Sequence, residues 1–592
     1  MMREDRRLRS GQTPTLSIIL TWCLASAILI VIGAPQILAG QYHGPDDALR
    51  MVQVRDLLAG QGWYDLHQYR MTPPNGTLMH WSRLVDVPIA ALVLFFSLFL
   101  EAHAAERVTM VVVPLFALLL TMLVTGRLAW RLFDRKTAIL ACLVMLLLPV
   151  IMNQFKPMRI DHHAWQILTV AVAVWCISWR KPGPGGAMAG LAMAAGLMIS
   201  LEVILIAAGF GLILAMRWLR DQSARWWLVS YLQALALGMV VLFAATRGWV
   251  DLAQHCDAIS LAHLGFFVIA ALGAGTLAVP SAIPRIQLIV GLGISGVAGL
   301  SFFAWLAPQC LALPFSDLDP LVREFWYLNI LEGRPVWFAP PVNAVAAVAQ
   351  PLFAILIALY LALQNRDWLR SWWFEYAALL LIAYIGGLLT IRSIAFASVL
   401  AAIPIGWFVV RMFDRWRAYK TLLPKLGVAI VLYFLLLPAF PLVLKNALIP
   451  SQESSEMGAL FSETKCDLAA NVGLLNAVPA GNIFAPLDMG APLLYQTHHS
   501  VVASGHHRTP AAMRDVIAGF VGTPEIAKNS IDRHGADYVF MCTDLLEPRN
   551  FSRRGGEDSL ASRLIADKPP QWLERVDLDG PDEFRVWRVI RD

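Results

Sequence analysis

The chain has 592 residues, 58% of them hydrophobic and 15% charged, with a net charge of +5 and a mean hydropathy of +0.59. A soluble domain carries about a quarter charged residues, so this composition excludes an ordinary soluble protein. Its Lys and Arg sit between repeated apolar runs, a pattern that reports membrane topology and excludes nucleic-acid binding.

Residues 1–10 carry Arg3, Arg6, Arg7 and Arg9, ahead of an apolar run at 15–39. That run is too long for the apolar core of a secretory leader and reads as an uncleaved first helix with its N-terminus in the cytoplasm. A long polar loop, 40–86, follows. Segment 87–101 reads as lying along the membrane surface, because counting it as a span spoils the charge balance downstream. Further spans are predicted at 107–126, 137–152, 164–179, 186–201, 202–216, 227–246, 263–279, 285–306, 343–363, 373–390, 393–410 and 426–444, thirteen in all. No polar loop separates the two helices that meet at 199–203. Under the positive-inside rule, the Arg- and Lys-rich connectors around Arg131, Arg217, Arg366 and Arg415 lie in the cytoplasm. The first loop, the connector 156–163, the 307–342 loop and the C-terminal tail then lie outside, in a periplasmic setting.

Beyond Ser451 the apolar runs shorten. Segments 481–485, 500–503, 537–542 and 583–590 read as strands. Segments 510–521 and 524–533 read as helices, with Thr509 and Thr523 as N-caps. The expected organisation is a transmembrane domain, 1–450, with large outer loops 40–106 and 307–342, followed by an extracytoplasmic α/β domain, 451–592. Cys23, Cys142 and Cys176 fall in apolar runs. Cys466 and Cys542 lie in the polar region, where they can pair, although free thiols are the default reading.

Three polar knots fall on the outer side. Pro45-Asp46-Asp47-Ala48 puts two carboxylates side by side, a donor set suited to a hard divalent cation such as Mg2+ or Mn2+. The same pair also suits the N-terminus of a helix over 48–58. Arg159-Ile160-Asp161-His162-His163 offers Asp161 and His163 as two ligands to one cation, and Arg159 as a charge balance or phosphate contact. Leu331-Glu332-Gly333-Arg334-Pro335 adds a third acidic loop. Arg392, between apolar runs at 379–389 and 394–408, either holds a lipid phosphate or snorkels to headgroups. Glu202 also lies within apolar sequence, and nothing in the sequence assigns it a role.

Taken together, these residues resemble the GT-C superfamily of membrane glycosyltransferases, and within it the catalytic subunit of oligosaccharyltransferase. In that family a catalytic Asp in the first outer loop precedes a Gly and two aromatics. Here Asp47 precedes Gly62-Trp63-Tyr64, which favours it over Asp46. Asp161-His162-His163 resembles the metal motif of the second loop, with His in place of the second carboxylate. Glu332 resembles the later-loop Glu that bridges metal and acceptor, and Arg392 the Arg that contacts the lipid phosphate. The count of thirteen helices with an outer C-terminal domain is similar too. The Trp-Trp-Asp motif that reads the acceptor sequon is absent. Pro486-Leu487-Asp488-Met489-Gly490 stands near its place, followed by His498-His499-Ser500 and Gly505-His506-His507-Arg508.

The resemblance implies an inverting glycosyltransferase with Asp47 and Glu332 as catalytic residues. Asp47, Asp161 and His163 would hold a divalent cation, and Arg392, Arg159, His162, His507 and Arg508 would contact lipid phosphate or substrate. It implies a polyprenyl-phosphate sugar donor, a glycan, lipid or protein acceptor, and membrane lipids as surroundings. The alternatives are an oligosaccharyltransferase acting on protein and, from another class, a lipid or sugar transporter. Transporters place charge near the bilayer midplane, whereas here it gathers in outer loops.

Overall fold

A long apolar helix, α1 (Thr15–Ala39), comes first, and its 25 residues rise about 37 Å, enough to cross a hydrocarbon core of about 30 Å. The computed structural model describes residues 13–253, 255–312, 318–448 and 464–591. The basic stretch 1–10 and the compositional change at Ser451 lie outside them. Helices α2 (Pro45–Leu58) and α3 (Arg83–Phe96) form in the first outer loop. At 14 residues, about 21 Å, α3 is too short to span, as its reading as a surface element requires.

The bundle continues with α4 (Ala102–Leu132), α5 (Arg135–Val144), α6 (Pro149–Gln154), α7 (His163–Ile177), α8 (Pro182–Ile199), α9 (Ile204–Arg220), α10 (Arg225–Thr246), α11 (Leu261–Leu277) and α12 (Arg285–Leu306). The short α13 (Pro320–Phe325) precedes α14 (Pro341–Gln364), α15 (Asp367–Leu389), α16 (Ile394–Ala418), α17 (Leu422–Leu436) and α18 (Phe440–Leu448). Helix occurs at each of the predicted spans. Among the described residues, nine helices are long and apolar enough to cross a membrane. The α17–α18 pair, bent by 78°, makes a tenth candidate, and α7 and α11 are apolar but shorter. The continuous span expected at 137–152 is corrected to α5, a 3-10 turn at Met145–Leu147 and α6. Pro149 supplies no N–H to carry the helix through that point. At the loopless join near 200, extended Ser200 stops α8 and its Oγ accepts the Glu202 N–H at 3.4 Å.

Helices α8 and α10 approach closely because Gly186 and Gly190 have no side chains. A Cβ on either would sit 2.4 Å from Trp227 O or 2.3 Å from Tyr231 O. This small-xxx-small spacing is a membrane packing device.

The C-terminal region carries a five-stranded sheet in the order β4-β3-β5-β7-β6. A two-residue hairpin, β1 (His67–Gln68) with β2 (Thr77–Leu78), precedes it in the first outer loop. Strands β3 (Asn482–Phe484), β4 (Ser500–Val501) and β5 (Tyr538–Cys542) are parallel, while β6 (Leu573–Val576) and β7 (Phe584–Val589) pair antiparallel. Helices form at Pro510–Val521 and Pro524–Arg533 as predicted. Thr509 and Thr523 stand at the expected N-cap positions, where neither side chain makes a capping hydrogen bond. The first outer loop adds to the sheet edge: Thr72 N donates to Val501 O at 2.9 Å and Val501 N to Arg70 O at 2.8 Å. Ala48, Leu49, Val52, Met79 and Trp81 of that loop share one apolar core with Ile483, Met489 and Phe540.

Two disulfides brace these regions, Cys256–Cys310 and Cys466–Cys542. The free-thiol default for Cys466 and Cys542 is thereby corrected: the packing of β5 against the 464–467 segment joins two cysteines that are distant in sequence. Replacing both with Ser frees a loop of 76 residues and is expected to cost about 4 kcal/mol in the chain-entropy account. The thermal midpoint of the purified protein, with and without reductant, checks this: reductant should lower the midpoint of the wild type more than that of the double mutant.

Candidate functional site

Asp47 is the third residue of α2, and helix geometry aims its carboxylate back at the helix start. Pro45 fits the first helical position, where no N–H is needed, and Asp47 Oδ2 accepts the Gly44 N–H at 3.0 Å. The carboxylate therefore caps the helix, as one sequence reading had it, and does more. Its Oδ1 accepts N–H groups from the second outer loop, Ile160 at 2.7 Å and Asp161 at 3.1 Å. Asp47 and Asp161 are 1% and 4% exposed. Two carboxyls buried side by side resist joint ionisation: burial, then the Asp161 charge, pushes the Asp47 carboxyl above its usual range. Burial also acts to raise Asp161, but His163 and Arg159 outweigh it and hold that carboxyl below the usual range.

Asp161 caps the next helix, its Oδ1 accepting the His163 N–H at 2.9 Å, while Arg159 Nη2 lies 3.2 Å from its Oδ2. His163 Nδ1–H donates to Gln166 Oε1 at 3.1 Å, which leaves the Nε2 lone pair turned toward Asp161 Oδ2 at 3.9 Å. Two ligand atoms, each about 2.0–2.3 Å from one ion, can sit this far apart. Among the described residues, the groups whose ligand atoms all lie within 4.8 Å of one another are His162, His163 and Glu202, and separately His80, Asp257 and His507; the expected set of Asp47, Asp161 and His163 is not one of them. Gln166 fixes the orientation of the His163 ring.

His162, tilted 40° against the His163 ring with centroids 4.3 Å apart, has no hydrogen-bond partner at its buried Nδ1 among the described residues. Burial, then His163, drives its pKa down to about 3, so it stays a neutral acceptor or donor near pH 7. Glu202, to which the sequence assigned no role, closes the other side. Its Oε2 lies 3.7 Å from His163 Nδ1 and its Oε1 2.5 Å from Arg392 Nε. The signal for it was in the sequence: an ionisable residue inside an apolar run is a functional candidate by default. Glu332 sits on an exposed 3-10 turn held to the Arg392 turn by Ile391 N donating to Arg334 O at 3.1 Å. Its charge reaches Arg159, whose pKa burial would lower but Asp161, Asp47 and Glu332 raise.

The C-terminal segment reaches the same place. His506 Nε2–H donates to Asp46 Oδ1 at 3.1 Å, and its Nδ1 hydrogen-bonds Ser504 Oγ at 2.7 Å. This pairing overrides the effect of burial and keeps the Asp46 carboxyl below its usual range. His507 Nε2 and Arg508 Nε both donate to Asp257 Oδ2, at 2.7 and 2.6 Å. Asp257 adjoins the Cys256–Cys310 bridge, and His80 Nδ1 stands 3.9 Å from it. His507 and Arg508 are thus engaged by a third loop. His80 and Asp257 escaped the sequence reading because neither lies in a recognisable spacing, whereas His506 stood in the Gly505–Arg508 stretch already singled out. Underneath, Arg50 stacks over Trp81 at 4.4 Å and pairs with buried Asp86 at 2.9 Å.

Asp46, Asp47, Arg159, Asp161, His162, His163, Glu202, Glu332 and Arg392 thus gather at one end of the helix bundle. No family model and no curated protein matches the chain. Among solved structures, the chain is similar to the oligosaccharyltransferase AglB of the archaeon Archaeoglobus fulgidus. In its complex with an inhibitory peptide and a dolichol-phosphate, the TM-score is 0.67 at 12% identity, covering 95% of this chain and 74% of that one. A form of the same enzyme tethered to an acceptor peptide with an NVT sequon gives 0.62 at 12% identity, over 97% and 74%. Its complex with Zn and sulfate gives 0.59 at 12%, over 96% and 73%. The chain therefore shares the fold of that enzyme, a bundle of apolar helices with a C-terminal sheet region, and its helices make it an integral, multi-pass membrane protein.

The His507–Asp257 junction carries a pH dependence. Burial, then His507, holds the His80 pKa well below its usual 6.5, and His507, Arg508 and His506 all face it alongside Asp257. The unfolded chain binds that proton first, so the contribution of His80 to stability is present above about pH 6.5 and is lost as pH falls below it. His507 and other groups keep Asp257 deprotonated to below the usual carboxylate range, which adds a loss in the same direction at lower pH. The protection factors of the amides in residues 505–508, corrected for the intrinsic fall of exchange with pH, are expected to drop from pH 7 to pH 5. The dependence should flatten in His80→Gln.

Proposed function

We propose that the protein is a GT-C-type glycosyltransferase that moves a sugar from a polyprenyl-phosphate-linked donor to an acceptor at the outer membrane face, with inversion and with a divalent cation, Mg2+ or Mn2+. The observation that carries this reading is the bridge from Asp47 of the first loop to the Ile160 and Asp161 N–H groups of the second. It assembles cation ligands far apart in sequence beside two arginines suited to phosphate. The archaeal structure of similar fold was captured with a dolichol-phosphate, which supports a lipid-phosphate donor. The two disulfides, on loops assigned to the outer side, suit an oxidising compartment and support that orientation.

The chemistry follows from where a lipid-linked sugar places its reactive carbon, at the headgroup plane. Asp47, Asp161 and His163 would hold the cation, with Glu332 able to complete the set from its exposed turn. When bound, the cation supplies Lewis-acid neutralisation of the departing phosphate. Arg392 is held through Nε by Glu202 and keeps its terminal nitrogens for a bidentate phosphate contact. Arg159 adds positive charge beside Asp161. The Asp47 carboxylate, fixed by three N–H donors, takes the acceptor's proton as the acceptor attacks the sugar carbon opposite the phosphate. The fixed donors spare the reorganisation that a free carboxylate would need. The acceptor is a glycan, a lipid or a protein. The Pro486–Gly490 stretch, standing where a sequon-reading motif is found in oligosaccharyltransferases, weighs against strict Asn-x-Ser/Thr recognition.

Membranes supplied with radiolabelled polyprenyl-phosphate sugar test the proposal. Asp47→Asn keeps the size and shape of the side chain and is expected to cut transfer by roughly 100- to 1000-fold. Chelator should abolish transfer, and added Mn2+ or Mg2+ should restore it. Equal labelled product from wild type and Asp47→Asn would refute the assignment.

A further inference from the structure

At the far end of the bundle from Asp47 lies a cavity that the proposed reaction does not use. It encloses about 1230 Å³ between the end of α4, the start of α5, and α14, α15, α16 and α17. Helix α16 joins the two ends. It begins beside Arg392 at the reaction end, and Arg411 follows 19 residues later, about 28 Å along the axis at 1.5 Å per residue. The cavity therefore opens at the opposite membrane face, near the other headgroup plane.

Its inner wall is aromatic. Phe133 lies 5.5 Å from Trp373 and 5.9 Å from Trp407, ring centre to ring centre, and Tyr360 lies 6.1 Å from Trp407. Such rings concentrate at headgroup depth in membrane proteins. Its rim is charged: Arg411, Asp414 and Arg415 of α16 and Asp134 before α5. Asp134 Oδ1 accepts the Thr137 N–H at 2.8 Å. Arg411, Asp414 and Arg415 are exposed, and among the described residues no ion pair or side-chain hydrogen bond engages them. Arg411 and Arg415 are four residues apart and share one face of α16, so both guanidinium forks can close on a single phosphate.

We infer that this cavity is a binding site for a zwitterionic aminophospholipid of the leaflet opposite the reaction site. The acyl chains lie along the aromatic and aliphatic wall, the phosphate sits between Arg411 and Arg415, and the headgroup ammonium lies against Asp414 and Asp134. The rim decides the headgroup. Two positive and two negative side chains complement a group that itself carries both signs, whereas a purely anionic headgroup leaves the two carboxylates opposed and unpaired. The separation from Arg392 sets this lipid apart from a donor bound at the other end. The inference uses only the fold and the membrane setting, not the proposed sugar transfer.

The test is native mass spectrometry of the full chain in mild detergent, offered dioleoyl phosphatidylethanolamine, dioleoyl phosphatidylglycerol and a polyprenyl phosphate in equal amounts. The wild type is expected to retain phosphatidylethanolamine preferentially. Arg411→Gln with Arg415→Gln should cut that retention at least about tenfold, the loss expected from removing charge-assisted hydrogen bonds. Asp414→Asn should erase the preference over phosphatidylglycerol. Val431→Trp, which fills the cavity and leaves every rim charge in place, should expel the lipid. Equal retention of the two phospholipids by the wild type, preference for the polyprenyl phosphate, or retention unchanged by Val431→Trp would each overturn the inference.

Discussion

The carboxylate of Asp47 is the hinge on which the outer half of the molecule turns. One oxygen closes the first turn of α2 through Gly44, and the other receives two N–H groups from a loop more than a hundred residues away. Both loops are irregular at that point, and buried backbone N–H groups need partners. A single side chain supplies three of them, so the two loops can be buried together only in this register. The same burial brings Asp47 against Asp161 and makes the pair electrostatically costly. That tension is the ground on which a cation is proposed there.

Around this hinge, the C-terminal region works as part of the site rather than as an appendage. Arg70 donates to the carbonyls of Thr497 and His499, and Thr72 extends the edge of the sheet. The tripeptide His506-His507-Arg508 then touches two separate loops, at Asp46 and at Asp257. A loop joining membrane helices has little apolar core of its own. Here the core is lent by the sheet, through Ala48, Leu49 and Trp81, and the polar contacts set its position. The bridge at Cys256 holds Asp257 in place for the same purpose.

The two ends of the bundle differ in what their charges do. At the reaction end, acids and bases from distant segments are buried against one another. At the far end, Arg411, Asp414 and Arg415 stay exposed beside an aromatic cavity, with Arg411 over the Trp407 ring and, among the described residues, no ion pair on any of the three. The first arrangement suits a preorganised site, and the second suits contact with mobile lipid.

The apolar runs were legible without tertiary structure because a bilayer demands helices of a fixed length, and α3 was set apart as a surface element by the charge balance of the connectors that follow it. Asp47, Asp161, His163 and Arg392 stood out because polar groups beside apolar sequence are rare. Strands β3, β4, β5 and β7 were readable from their short apolar runs, and their shortened ends reflect where neighbouring strands stop. Glu202 was visible but had no partner until Ser200 broke α8 and turned it toward His163 and Arg392. His80 and Asp257 belong to no local pattern: each acquires meaning only from a neighbour tens to hundreds of residues away. The disulfides and the break at Pro149 were likewise settled by packing. Local sequence encodes which segments must leave water, while the pairing of their polar remnants is a property of the assembled chain, because hydrogen bonds act over about 3 Å of space and not along the sequence.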